Sequence, residues 1–157
     1  MFAGKMGAGK STKARQVCGE KNAVLIAEDE WLSSLFPGQI TSFDDYLHFS
    51  SLLKSLVKSL VEDILKTGTN VVMDFPANTV NQRNWFKTLL SAASAPHLLI
   101  YLKVSDEVCL QHIMKRRTEE PERAGFDTEA IFYEVSQYFQ APDPGEGFNI
   151  EIVKQHA

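Results

Sequence analysis

Short apolar runs alternate with longer amphipathic stretches along this chain. Ala23-Val24-Leu25-Ile26-Ala27, Asn70-Val71-Val72-Met73-Asp74, Leu98-Leu99-Ile100-Tyr101-Leu102 and Phe148-Asn149-Ile150-Glu151-Ile152 have the length and apolarity of largely buried strands. Between them, apolar residues recur at helical spacing. Tyr46, Phe49, Leu53, Leu56, Leu60 and Ile64 mark the expected buried face of a long helix. It starts at Ser42, which forms a capping box with Asp45, and stops at Gly68. Thr79 with Gln82 caps a second helix carrying Val80, Trp85, Phe86 and Leu89. Ser105 caps a third, ending in Lys115-Arg116-Arg117, and Ile131, Phe132, Val135, Tyr138 and Phe139 belong to a fourth. Shorter helices are expected from Ser11 to Gly19 and from Leu32 to Pro37. Strands alternating with helices predict an α/β fold, a parallel sheet with helices on both faces joined by right-handed crossovers.

The first turn of this pattern carries the chemistry. Gly4-Lys5-Met6-Gly7-Ala8-Gly9-Lys10-Ser11 has the spacing G-x-x-x-x-G-K-[ST] of a phosphate-binding loop. Glycines let successive backbone N–H groups curl around a phosphate, and Lys10 neutralises the β- and γ-phosphates. Ser11 offers a hydroxyl to Mg²⁺, and the helix that follows turns its positive end to the anion. The expected nucleotide contacts are Gly4, Met6, Gly7, Ala8, Gly9, Lys10, Ser11 and Thr12. Such a loop should hang from a buried strand of about five residues. Only Met1-Phe2-Ala3 precede Gly4, so either the sequence begins inside that strand or Met1 is not the native start.

Composition narrows the class. The 157 residues suit one domain spanning 1–157 and are too few for an AAA+ motor with its helical lid domain. A net charge of −4 argues against an extended nucleic-acid partner, while leaving room for a local cationic pocket. Cys18 and Cys109 suit inert thiols in a reducing cytoplasm. No run reaches membrane-spanning length and no signal-peptide pattern precedes the loop. His48, His97, His112 and His156 lack ligand spacing and read as ordinary polar residues. An N-K-x-D motif and a D-x-x-G after the third strand are both missing, which argues against a GTPase.

Two carboxylates follow strand ends, where open α/β sheets place their ligands. Asp29 is either the base that takes a proton from an attacking hydroxyl or the N-cap of the helix carrying Trp31 and Leu32. Its neighbours Glu28 and Glu30 read as solvated. Asp74 is either a Walker B-type carboxylate, sharing Mg²⁺ with Ser11, or a strand-end turn residue.

With these residues the chain resembles the predicted small ATP-dependent kinases of the P-loop fold. That group includes relatives of polynucleotide kinases, zeta toxins, chloramphenicol phosphotransferase and gluconate kinase. Beyond the loop and the two acidic strand ends, the resemblance rests on the Arg-rich segment after the fourth strand. It rests also on Tyr138-Phe139-Gln140-Ala141-Pro142 … Glu146-Gly147-Phe148, similar to an F-x-x-P … E-G-F ending. Phe75-Pro76 stand where small polar residues are expected. The resemblance implies a three-layer fold with a five-stranded sheet in the order 2-3-1-4-5 and a lid near residues 115–127. It implies transfer of the γ-phosphate of Mg-ATP to a hydroxyl acceptor, and the net charge of −4 tilts that acceptor towards a small molecule. Asp29, Asn78 and Arg83 would face that acceptor. Arg117 and Arg123 would stabilise the transferring group, and Arg116 or Arg117 would contact the nucleotide. The alternatives are a non-catalytic ATP-binding module, a simple ATPase, or a kinase of polynucleotide 5′-hydroxyls.

Overall fold

The computed structural model describes residues 1–121 and 124–155. Its elements run β1 (Phe2–Ala3), α1 (Lys10–Lys21), β2 (Val24–Ala27), α2 (Glu28–Leu35), α3 (Phe43–Lys66), β3 (Val71–Asp74), α4 (Val80–Ala93), β4 (Leu99–Val104), α5 (Asp106–Glu119), α6 (Glu129–Ser136) and β5 (Ile150–Gln155). All strand pairs are parallel. Both predicted capping boxes form, Ser42 with Asp45 and Thr79 with Gln82, and Ser105 caps α5. α1 passes the expected stop at Gly19 and ends on Asn22, which takes the left-handed conformation at φ 47°.

Strand residues alternate between two cores. Ala3, Met73 and Leu99 point to the face covered by α2, α3 and α4, where Leu32, Leu53, Val57, Phe86 and Leu89 pack. Phe2, Val72 and Ile100 point to the opposite face, with Ala14 of α1, Cys109 and Ile113 of α5 and Phe132 of α6. This is the period-two consequence of a sheet sandwiched between helices. No helix among the described residues is long and apolar enough to cross a membrane.

Two expectations are corrected. The sheet is not one continuous five-stranded ladder in the order 2-3-1-4-5. It is a three-stranded sheet, β1-β4-β5, beside a two-stranded sheet, β2-β3, with the parallel bridge Phe2↔Pro76 between them. β1 is two residues long, and Pro76 has no N–H to donate across the seam. The buried face of α3 is also turned. Ser50, Leu53, Val57 and Val61 are buried, while Leu56 is 67% exposed and Leu60 39%. This helix is apolar on several sides, so periodicity alone permits more than one rotation. Tyr46 and Ser50, both hydrogen-bonded to Glu28, settle which one forms.

The chain topology then delivers the site. β1 leads into Gly4, β2 leads into Glu28 and β3 ends at Asp74, with Ala27 paired to Asp74. The carboxyl ends of the parallel strands meet on one edge, where the loops that follow can share a ligand.

Candidate functional site

The loop from Gly4 to Gly9 joins β1 to α1, and three outside contacts shape it. The Gly4 N–H donates to Asn78 Oδ1 at 3.0 Å, His112 Nδ1 meets the Gly7 carbonyl at 2.9 Å, and Lys5 Nζ pairs with Asp106 Oδ1 at 2.6 Å. Gly7 sits at φ 77°, and a Cβ there would collide with the Cys109 carbonyl oxygen and lie 2.9 Å from the Ile113 side chain. Only glycine lets the loop press this closely on α5. Ala8 is buried, Met6 packs on the α1-side core, and Ser11 and Thr12 are exposed in the first turn of α1.

Lys10 lies inside the bend. Its Nζ donates to the Gly4 carbonyl at 2.7 Å and the Lys5 carbonyl at 2.8 Å. Burial lowers its pKa to about 8, against the opposing pull of Asp74 and, more weakly, Asp29. An ammonium desolvated among carbonyl groups, beside the N–H groups that the first turn of α1 leaves unbonded, is a fit for a polyphosphate. Ser11 and Asp74 carry hydroxyl and carboxylate oxygens, the donor types that Mg²⁺ prefers.

Asp29 is exposed in the first turn of α2, and the capping alternative fails: the N-cap is Ala27, with no side-chain cap. Asp29 and Asp74 both act electrostatically on Lys10, so the structure gathers both carboxylates around the loop. Glu28 was expected to be solvated, but it is buried. Tyr46 OH donates to its Oε2 at 2.9 Å and Ser50 Oγ to its Oε1 at 2.6 Å. Burial raises its pKa, with the Ser50 hydroxyl, Lys54 and the Tyr46 hydroxyl opposing. Two clues for this were in the sequence. Glu28 directly follows an apolar strand, and Tyr46 and Ser50 lie one helical turn apart.

Asn78 and Arg83 face inward. Asn78 uses its side-chain oxygen on Gly4, while its N–H donates to Gln82 and its carbonyl accepts from the Gln140 N–H at 2.9 Å. Arg83 is fully buried. Its Nε and Nη2 each bond the Glu146 carboxylate at 2.8 Å, and its Nη1 reaches the Ala77 and Gln140 carbonyls. These bonds spend four of its five donors inside the protein, so the expectation of a substrate-orienting cation is corrected to an internal clamp. The closing motif is what it clamps. Phe139 packs on Tyr101 with centroids 5.9 Å apart, Glu146 holds Arg83, and Phe148 is buried.

The arginines after β4 part company. Arg116 forms a two-pronged pair with the fully buried Asp127, at 2.6 and 2.5 Å, and its charge also acts on Lys10, helping to lower that pKa. Arg117 is exposed in the last turn of α5 and makes no ion pair among the described residues. Arg123 lies outside the described residues. Sequence reasoning missed His112, Lys5 and Asp106 as supports of the loop, because both contacts span more than a hundred residues and involve side chains with no motif of their own.

Solved structures share this fold. A proposed kinase of Chloroflexus aurantiacus is 18% identical with a TM-score of 0.71, over 98% of this chain and 86% of that one. Kti12 of Chaetomium thermophilum, in complex with ADP-AlF3, is 15% identical with a TM-score of 0.65, over 98% and 87%. The APS kinase CysC of Mycobacterium tuberculosis, in complex with AMPPNP and APS, is 16% identical with a TM-score of 0.62, over 98% and 85%. No relative is matched among the curated proteins. A family model described as an AAA domain matches residues 1–142. The argument from length therefore sets aside only the larger motor with its helical lid. With its phosphate loop and parallel α/β core, the chain belongs to the AAA domain family.

Proposed function

We propose that this protein binds Mg-ATP at Gly4–Thr12 and transfers the γ-phosphoryl group to a hydroxyl acceptor. The observation that carries the reading is the desolvated Lys10 ammonium inside the loop, with Asp74 and Asp29 both acting on it from neighbouring strand ends. The loop amides and Lys10 bind the polyphosphate, and Ser11 and Asp74 would hold Mg²⁺. When bound, the metal would supply positive charge against the phosphates. Asp29, exposed at the edge, accepts the proton of the attacking hydroxyl as the acceptor oxygen bonds to phosphorus and the bond to ADP breaks. Arg117 is the lid cation left uncommitted among the described residues; in this reading it and Arg123 steady the transferring group. Arg83, spent inside the protein, takes no part in holding the acceptor, whereas Asn78 contributes its side-chain amide to it.

The nucleotide complexes of APS kinase and Kti12 support the ATP assignment by likeness of fold alone. One observation favours a second reading, a nucleotide-binding module or simple ATPase. Arg116, next to Arg117 in the expected lid, is tied to Asp127, which leaves one fewer lid cation free to steady a transferring group. Incubating the protein with Mg-ATP and a panel of hydroxyl compounds, with products weighed by mass spectrometry, decides between them. A product heavier by one phosphoryl group supports transfer. ADP release without such a product supports hydrolysis, and no calorimetric binding of Mg-ATP ends both readings.

A further inference from the structure

Between α3 and α4 runs a groove of about 460 Å³, lined by Tyr46, Ser50, Ser51, Lys54, Lys58 and, across from them, Trp85. Its upper end touches the candidate acceptor edge. Tyr46 and Ser50 bond the Glu28 carboxylate, next in the chain to Asp29. Gln82, also on the wall, caps the segment that follows β3. Lys54 lies one helical turn beyond Ser50 and Lys58 one turn further, so their Cα atoms follow at intervals of about 6 Å down one side.

The charges of this groove are unbalanced. Neither lysine forms an ion pair with a described carboxylate, and no acidic side chain lines the wall. The Lys54 ammonium rests over the Trp85 ring, 5.4 Å from its centroid. The Lys54 charge acts on Glu28, but both Glu28 oxygens are already occupied by hydroxyl donors. A molecule with net charge −4 thus keeps two half-buried cations in a groove that opens beside its acceptor carboxylates. That arrangement suits an anion delivered from outside.

We infer that the α3–α4 groove seats a phosphate group of the acceptor, so that the substrate is a phosphate-bearing alcohol rather than a neutral one. The inference rests on the proposed transfer reaction for the position of the hydroxyl, but the groove's affinity can be read without any turnover. Trp85 reports on it, since an anion that draws Lys54 from the ring changes the indole emission. Trp31→Phe removes the other tryptophan. In that background, with Mg-AMPPNP present to occupy the loop, ribose 5-phosphate is titrated against ribose. Orthophosphate serves as competitor, and a 5′-hydroxyl thymidine dinucleotide as the phosphodiester probe.

Saturable binding of a phosphate-bearing probe, at least tenfold tighter than ribose, is expected. The Lys54→Gln/Lys58→Gln double variant loses that tenfold, while its affinity for Mg-AMPPNP stays within twofold of the parent. The matching double arginine variant restores binding. Tighter binding of the dinucleotide assigns the phosphate to a nucleic-acid end, and tighter binding of ribose 5-phosphate assigns it to a small monoester. If every phosphate probe binds no better than ribose, or the glutamine variant binds like the parent, the inference is overturned. Phosphate binding that survives in a protein unable to bind Mg-AMPPNP would sink the kinase reading and leave the groove standing.

Discussion

The phosphate loop, after β1, and the acceptor edge, after β2, flank the end of β3, yet they are built in opposite ways. The loop is local. Eight consecutive residues supply the glycines, the ammonium and the hydroxyl, and α5 presses on them from outside through Asp106, Cys109 and His112. The acceptor edge is assembled from afar. Glu28 from the end of β2, Tyr46 and Ser50 from α3 and the start of α4 converge there only when the sheet forms. Cost differs too. The loop needs conformations that only glycine adopts comfortably, whereas the acceptor edge needs a buried carboxylate supplied with two hydroxyl donors. A motif can specify the first, while the second depends on packing.

The sharpest way to separate the two regions is Asp29→Asn. Phosphoryl transfer should fall by roughly a thousandfold, within the range for removing a general base, while calorimetry shows Mg-ATP affinity within twofold. Transfer at the parental rate would take Asp29 out of the mechanism.

Glu146→Ala tests a support that belongs to neither region. Arg83 is left buried without its carboxylate, and losing one member of such a pair costs about 3–5 kcal/mol. Urea denaturation followed by far-UV circular dichroism should show that loss, and a change under about 1 kcal/mol would mean the clamp is not structural.

Lys10→Ala strikes the loop alone. ATP affinity should weaken by about a hundredfold, the scale of a charge-assisted contact to phosphate, with the urea midpoint little changed. Parental affinity would remove the nucleotide site from Gly4–Thr12.

The smallest effect is a pH dependence. Lys10 is held at about 8 in the free protein, chiefly by burial. A bound polyphosphate favours the charged form, so binding takes up a proton wherever the free lysine is neutral. Affinity should therefore fall as pH rises, by roughly eightfold from about pH 7.5 to about pH 9. Calorimetry in buffers of different ionisation enthalpy should detect the proton taken up. Lys10→Arg should flatten the profile, because guanidinium stays charged. A flat profile in the parent would detach the titration from Lys10.

Helix starts were legible where a capping residue marked them, whereas the stop expected at Gly19 was overrun to Asn22. The capping boxes at Ser42 and Thr79 and the cap at Ser105 stand where the sequence puts them. The rotation of α3 was not legible, because leucines and valines surround the helix and the deciding contact is with Glu28. Arg83 shows the same limit in the site. An arginine on the helix after β3 reads as a cation facing the acceptor until Glu146, sixty-three residues away, folds onto it. Arg116 too had its carboxylate eleven residues downstream, in a stretch with no periodic pattern to show that the chain turns back.

By itself the sequence determined the alternation of strands and helices and the phosphate-binding bend, because caps, period and glycine conformations act over a few residues. Tertiary structure alone decided which charges are spent internally, which face of α3 is buried and which carboxylate lies beneath the acceptor edge. Such pairings join residues distant along the chain, and their energies depend on burial that exists only after the layers have closed.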